Sequence, residues 1–347
     1  NCGLCEKVCP IDKALEVSAE QKAYAAVHKD DEVLAKSTSG GAFTAIADAI
    51  FAQGGIVYGV AMLDGMRVKH IRTSGKDDFE GLRSSKYLQS DTGTTYQMVE
   101  QDLKQGKTVL YSGTPCQIDG LKNFLGKDYE NLYTADIVCH GVGSQAYFDK
   151  YMDYARERYG KIKVLRFRSK EYAGWSCGGG VVVVDTSNCL KKIPYRDFDN
   201  YYYSYFLSGD IYRKSCYTCK YANTKRVGDF SLGDYWGVEA LNLPLRTENG
   251  CSLLLVNTEQ AEKLLETVTD LDKVETTIEQ AAHCNKQLNE PSRLPGSRQK
   301  RIEEYESMNG RQIQKVYLKT HRKTVVKGKL KALMPYKLKL LIRSKRT

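Results

Sequence analysis

The chain has 347 residues and is 41% hydrophobic, enough for one large or two ordinary domains with a normal core. It contains no run of about 18 apolar residues, which excludes a membrane-spanning helix, and its eleven cysteines point to metal or redox chemistry rather than packing. The net charge is +10, but residues 319–347 carry eleven Lys/Arg and no Asp/Glu, so the remainder is near neutral; a nucleic-acid-binding body would carry a basic stripe of its own.

The first ten residues, NCGLCEKVCP, hold Cys2, Cys5 and Cys9 followed by Pro10. They form the last three-quarters of the run C-x-x-C-x-x-C-x-x-x-C-P that wraps a cubane cluster in bacterial ferredoxins. Two residues between cysteines let a tight loop aim successive sulfurs and backbone N–H groups at a small inorganic core, and the proline then ends the loop. The cysteine that would open the run falls before Asn1, so residue 1 reads as a truncation point inside an iron–sulfur motif. In two-cluster ferredoxins the fourth cysteine ligates the other cluster; Cys2 and Cys5 then belong to one cluster and Cys9 to a second. Zinc and a structural disulfide are the alternatives, and the spacing suits neither well.

Further along, residues 43–53 (FTAIADAIFAQ) predict a helix ending at Gly54–Gly55. The preceding Ser37–Gly41 turn, rich in glycine and hydroxyls, is either a helix cap or an anion-binding N-terminus. IVYGVAM (56–62) predicts a strand leading through a hairpin into VKHIRT. The donor-rich segment Ser84–Asp91 is either a solvated loop or a cradle for a ligand. Residues 95–105 predict a helix, TVLYSG (108–113) a buried strand and Gln117–Leu125 a helix. LYTADIVCHG (132–141) predicts a strand running into a loop, followed by a helix near 144–158 and the strand KVLRFRS. GGGVVVVDT (178–186) and SLLLVNT (252–258) are further strands. Strands alternating with helical patterns imply a largely parallel sheet. The fold class expected is α/β with α+β additions: a truncated ferredoxin-like N-terminus, a central mixed or parallel sheet flanked by helices, and a basic helical C-terminal tail.

Cys116 and Cys139 each follow a predicted buried strand, where open α/β sheets bind ligands. Cys216 and Cys219 form a C-x-x-C among Lys214, Lys220, Lys225 and Arg226; such a pair binds metal or forms a redox disulfide. Together the four would supply the thiolates of one 4Fe–4S cluster, although spacing links only the last two. The tyrosine run at Tyr195, Tyr201, Tyr202, Tyr203 and Tyr205 suits a core helix, a substrate pocket or a docking face. Residues 297–318 predict one charged helix. Residues 328–342 mix leucines with lysines, a pattern that suits an anionic membrane face or a disordered basic end.

SGGAFTAIADAIFAQGGIVYGVAM, RSSKYLQSD, LYSGTPCQIDGLKNFL, DIVCHGVGS, SCYTCKYANTKRVGDFSLGDYWG and CSLLLVNT, in this order, resemble the coenzyme F420 hydrogenase/dehydrogenase beta-subunit family over roughly residues 1–290. The resemblance implies FAD and 4Fe–4S clusters as cofactors. It places Ser39, Gly40, Gly41 and Thr44 in a flavin-contacting turn, and Ser85, Lys86, Tyr87, Gln89 and Ser90 near the isoalloxazine. It matches Thr114 and Gln117 to a G-T-P-C-Q loop, assigns Cys116, Cys139, Cys216 and Cys219 to a cluster beside the flavin, and matches Asp234 and Trp236 to a D-x-W segment. Lys86 would stabilise a reduced flavin, and His140 is a candidate proton donor.

Four segments follow from this reading: 1–20, a partial ferredoxin-type domain; 35–115, the flavin-binding part; 116–290, the part with the cluster cysteines; and 291–347, the basic tail. The expected protein is a cytoplasmic iron–sulfur flavoprotein oxidoreductase. It takes electrons from ferredoxin or another low-potential donor and passes them to a small-molecule or glycan-precursor acceptor, as in surface-polysaccharide biosynthesis. The alternatives are a non-enzymatic electron-transfer subunit and a reductase of coenzyme F420 itself. Contact with nucleic acid is not expected.

Overall fold

A computed structural model describes residues 21–186 and 189–333. Cys2, Cys5, Cys9 and the leucine–lysine segment beyond residue 333 lie outside the described residues. The chain divides into two compact units, Asn1–Gly141 with Arg213–Arg293, and Val142–Tyr212 with Leu294–Thr347. Eleven strands are described: β1 Lys22–His28, β2 Ile56–Leu63, β3 Arg67–Thr73, β4 Val109–Gly113, β5 Leu132–Ile137, β6 Lys161–Arg166, β7 Gly179–Thr186, β8 Cys189–Arg196, β9 Phe230–Asp234, β10 Ser252–Val256 and β11 Leu271–Thr276.

The first unit is built on an eight-stranded sheet in the order β11-β1-β10-β9-β5-β4-β2-β3. Its centre, β2-β4-β5-β9, is parallel, while both flanks are antiparallel. Period-2 alternation sends successive side chains to opposite faces. Val57, Leu110 and Ala135 face the Ala42–Ala52 and Glu259–Glu266 helices through Ile46, Ile50, Leu264 and Leu265. Tyr58, Val109, Tyr111 and Leu132 face the Thr95–Lys104 and Pro115–Leu125 helices through Val99, Leu103, Ile118 and Leu121. Strands apolar on both faces are what a helix-covered parallel sheet demands, so the expected α/β class with a mixed central sheet is the class found.

The second unit pairs an antiparallel sheet, β6-β7-β8, with helices Gln145–Tyr159, Tyr201–Leu207, Arg298–Ser307, Gly310–Thr320 and Arg322–Leu333. Four of the five tyrosines of the run form a core helix, with Tyr201, Tyr202, Tyr203 and Tyr205 all buried and Tyr202 packed 4.9 Å from the Phe148 ring, while Tyr195 lies buried on β8. Asn200 caps it, accepting from the Tyr203 N–H and donating to Tyr151 Oη. Residues 297–318 form two helices rather than the single one expected. Met308 is extended, and Asn309 and Gln312 cap a new start reciprocally. Gly310 there lies so close to the Lys150 carbonyl that a Cβ would stand 2.2 Å from it. Among the described residues no helix is long and apolar enough to cross a membrane.

Candidate functional site

The candidate site runs along the carboxyl edge of the parallel strands in the first unit. In the register, Gly113 of β4 lies opposite Asp136 of β5. Cys116 and Cys139 each stand three residues beyond that matched pair, so two cysteines far apart in sequence leave the sheet side by side. Thr114 then caps the Pro115–Leu125 helix with Gln117 in a reciprocal capping box. The cap fixes Cys116 in the first turn, with Thr114 Oγ1 3.1 Å from its sulfur.

Cys216 lies on the short helical turn Lys214–Thr218, and Cys219 caps its end. Two links tie this segment down. Tyr221 Oη donates to Asp119 Oδ2 at 2.6 Å, joining it to the Pro115–Leu125 helix, and Lys220 stands 3.7 Å from the same carboxylate. Arg226, fully buried, pairs with the equally buried Asp136 of β5. It also donates to Ser231 Oγ and to the carbonyls of Tyr221, Asn223 and Ile137. Asp136 uses its other oxygen to accept the Gly228 N–H. A buried ion pair is stable only when its remaining donors and lone pairs are met in this way.

Cys139 lies within electrostatic reach of Cys116, Cys216 and Cys219. Burial pushes the Cys139 thiol well up, and the charges of Cys116, Cys216 and Cys219 push it further, while the Gly141 N–H opposes them. Burial also raises the Cys219 thiol; the Tyr221 and Ala222 N–H groups and the Arg226 guanidinium pull the other way. Three segments thus bring Cys116, Cys216 and Cys219 within electrostatic range of Cys139 and supply backbone donors to Cys139 and Cys219. Among the described residues no three Cys, His, Asp or Glu side chains stand in ready ligating positions: the thiols are gathered without being converged. The donor set fits iron–sulfur chemistry, because thiolates that repel one another in a partly buried site are stabilised by iron cations between them.

The residues expected near a flavin occupy two stretches of the same edge. Ser39 Oγ donates to the carbonyls of Cys251 and Gly233, the latter near the end of β9. Gly40 N–H and Ala42 N–H both reach Ser252 Oγ, so these donors are spent inside the fold. Gly40 is required by crowding, since a Cβ there would stand 2.1 Å from the Ala26 carbonyl. Gly41 takes a left-handed φ of 88° as the helix N-cap, and Thr44 is buried in the first turn.

On the other side, Gln117 Nε2 donates to Ser90 Oγ at 3.0 Å, tying the 84–91 loop to the capped helix. Gln89 Oε1 accepts from Arg213. Ser85 and Tyr87 are half-buried in this loop. Lys86 Nζ caps a short helical turn by donating to the carbonyls of Gly81, Leu82 and Arg83; its charge is directed at backbone rather than into open space. His140 is exposed beside Cys139, and its carbonyl accepts from Ser292. Asp234 ends β9, with Trp236 just beyond it.

Two features had no sequence signal. Asp119 and Tyr221 meet only through the tertiary fold. His70, on β3, is buried and stacked on Tyr111 at 5.1 Å, with Nε2 3.1 Å from the Ser112 carbonyl. A cavity of about 490 Å³ lies elsewhere in this unit, lined by His28, Asp48, Phe79, Arg83 and Asp270 among others, and includes none of the expected site residues.

The edge defines a class: a mixed α/β sheet that gathers thiols beyond its parallel strands, where such sheets carry their ligands. The sequence profile for the C-terminal region of the coenzyme F420 hydrogenase/dehydrogenase beta subunit matches residues 106–281, and the chain belongs to that family. This places it among relatives of hydrogenase and dehydrogenase subunits. A comparison with curated proteins found no match. Among solved structures, a chain from the F420-reducing NiFe hydrogenase complex of Methanosarcina barkeri is similar at 15% identity and a TM-score of 0.49, over 84% of this chain and 93% of that one.

Proposed function

We propose that the protein is an iron–sulfur flavoprotein oxidoreductase in which Cys116, Cys139, Cys216 and Cys219 hold a 4Fe–4S cluster beside FAD. Cys2, Cys5 and Cys9 would receive electrons from a ferredoxin-type donor, and an organic molecule, of the glycan-precursor class by resemblance, would accept them. The observation that carries this reading is that Cys116, Cys216 and Cys219 all act electrostatically on Cys139 at the carboxyl edge of the sheet. A cluster supplies single-electron steps, and a flavin converts these into two-electron transfer.

The chain's own residues do the rest. The N–H groups of Gly141, Tyr221 and Ala222, with Arg226, place positive character against the sulfurs, one of the levers that sets a cluster's potential. The Thr114–Gln117–Ser90 chain holds the 84–91 loop against the capped helix, which fixes where a ring lying over that loop would sit. Asp119 and Tyr221 hold the C-x-x-C segment in register with Cys116. His140, exposed next to Cys139, would move a proton. Lys86, with its ammonium on three carbonyls, shapes the loop.

The test is anaerobic reconstitution of full-length protein carrying Cys2→Ser, Cys5→Ser and Cys9→Ser, with iron, sulfide and FAD counted per chain. About four irons should remain. A further Cys139→Ser change should abolish them, while Cys284→Ser should not. Full iron binding by the Cys139→Ser protein would overturn the assignment, and absence of FAD from a fully iron-loaded protein would remove the flavin from it.

A further inference from the structure

The Arg322–Leu333 helix of the second unit has two unlike faces. Val325 is buried, and Gly328 lies so close to Phe198 that a Cβ would stand 2.3 Å from its ring. These residues seat the helix on its own unit. Val326, Leu330 and Leu333 are instead 50%, 62% and 82% exposed. With about 100° between successive helical residues, the three share a sector of about 60°, turned roughly 140° from the seated face. Arg322 and Lys329 border that sector on one side, and Lys323 and Lys327 on the other. The helix has no acidic residue, nor does any position from 319 to 347.

We infer that this helix is a membrane-docking element. It lies flat on an anionic lipid surface, with Val326, Leu330 and Leu333 in the acyl boundary and the flanking cations at the headgroups. Charge complementarity and the geometry of the stripe argue for lipid. Cations arranged on both sides of an apolar sector suit an interface, where charge meets headgroups and the strip between meets hydrocarbon. A polyanion such as RNA would use the charges and leave the leucines in water. The seated face explains why the helix is already formed before docking, so little ordering entropy opposes binding. The inference is independent of the redox reading.

The experiment is flotation of the full chain with vesicles of phosphatidylglycerol and phosphatidylcholine in equal amounts, against phosphatidylcholine alone. Wild-type protein should float only with the anionic vesicles. Because Val326, Leu330, Lys323 and Lys327 are exposed, their variants should fold, as far-UV circular dichroism will verify. Lys323→Glu/Lys327→Glu should cut the partition coefficient at least tenfold, since each lysine at such a surface contributes about fivefold. Val326→Ser/Leu330→Ser should cut it by a similar factor with the charge unchanged. Leu330→Trp should add a blue-shifted emission on anionic vesicles over the wild-type signal. Wild-type flotation by the serine variant, no blue shift, or binding to a single-stranded RNA homopolymer without binding to vesicles would each overturn the inference.

Discussion

Arg226 offers the sharpest test of how the thiol site is held. Its guanidinium is fully buried against an equally buried Asp136, and it also bonds Ser231 and three backbone carbonyls. Arg226→Met fits the space but leaves Asp136 charged without its partner. Breaking a buried pair in this way costs about 3–5 kcal/mol, and the orphaned carbonyls of Tyr221, Asn223 and Ile137 argue for the upper half of that range. Arg226→Lys keeps the charge but cannot reach all the same acceptors, and should lose about half as much. Arg226→Met/Asp136→Leu should recover about 2 kcal/mol and no more, because the three carbonyls and the Gly228 N–H still lack partners.

The assay is hydrogen–deuterium exchange of β5 and β9 amides in iron-free protein, read as local opening free energies. Iron content after anaerobic reconstitution should fall in parallel, since the same side chain anchors the segment that carries Cys216 and Cys219. An Arg226→Met protein whose β5 protection lies within about 1 kcal/mol of wild type would refute this account of the site, because a loss that small belongs to a solvated pair.

Two further outcomes follow from the same edge. Gly40→Ala would drive a methyl to 2.1 Å from the Ala26 carbonyl and 2.3 Å from the Ser252 nitrogen, so backbone must move; a loss of about 3 kcal/mol or more, or failure to fold, is expected on thermal denaturation. Burial lowers the His70 pKa to about 4, so the neutral ring stabilises the fold fully above the unfolded value near 6.5. That contribution, about 3 kcal/mol at most, drains away as pH falls from about 6.5 toward about 4. His70→Phe keeps the stack on Tyr111 and should flatten the urea midpoint across that window; an unchanged slope would show that His70 is not the titrating group.

Local pattern determined much of this protein. Apolar alternation in LYTADI and VLYSG, and the helical spacing of AFTAIADAIFA, fix those elements because the periodicities of strand and helix are written into neighbouring residues. The C-x-x-C at Cys216 and Cys219 and the cap at Thr114 are equally local. What the sequence left open depended on pairing across long intervals. Nothing in residues 113 and 136 announces that they lie opposite one another, yet that register starts the segments that carry Cys116 and Cys139 from neighbouring strand ends. The union of Arg226 with Asp136, of Tyr221 with Asp119 and of Gly40 with Ser252 likewise exists only once the sheet has closed. The break at Met308 and the interruption of the first unit between 141 and 213 were also invisible, since each is settled by contacts rather than by propensity. Chemistry-bearing residue types are a property of the chain; their meeting is a property of the sheet, because hydrogen-bond register, not sequence distance, decides which loops share an edge.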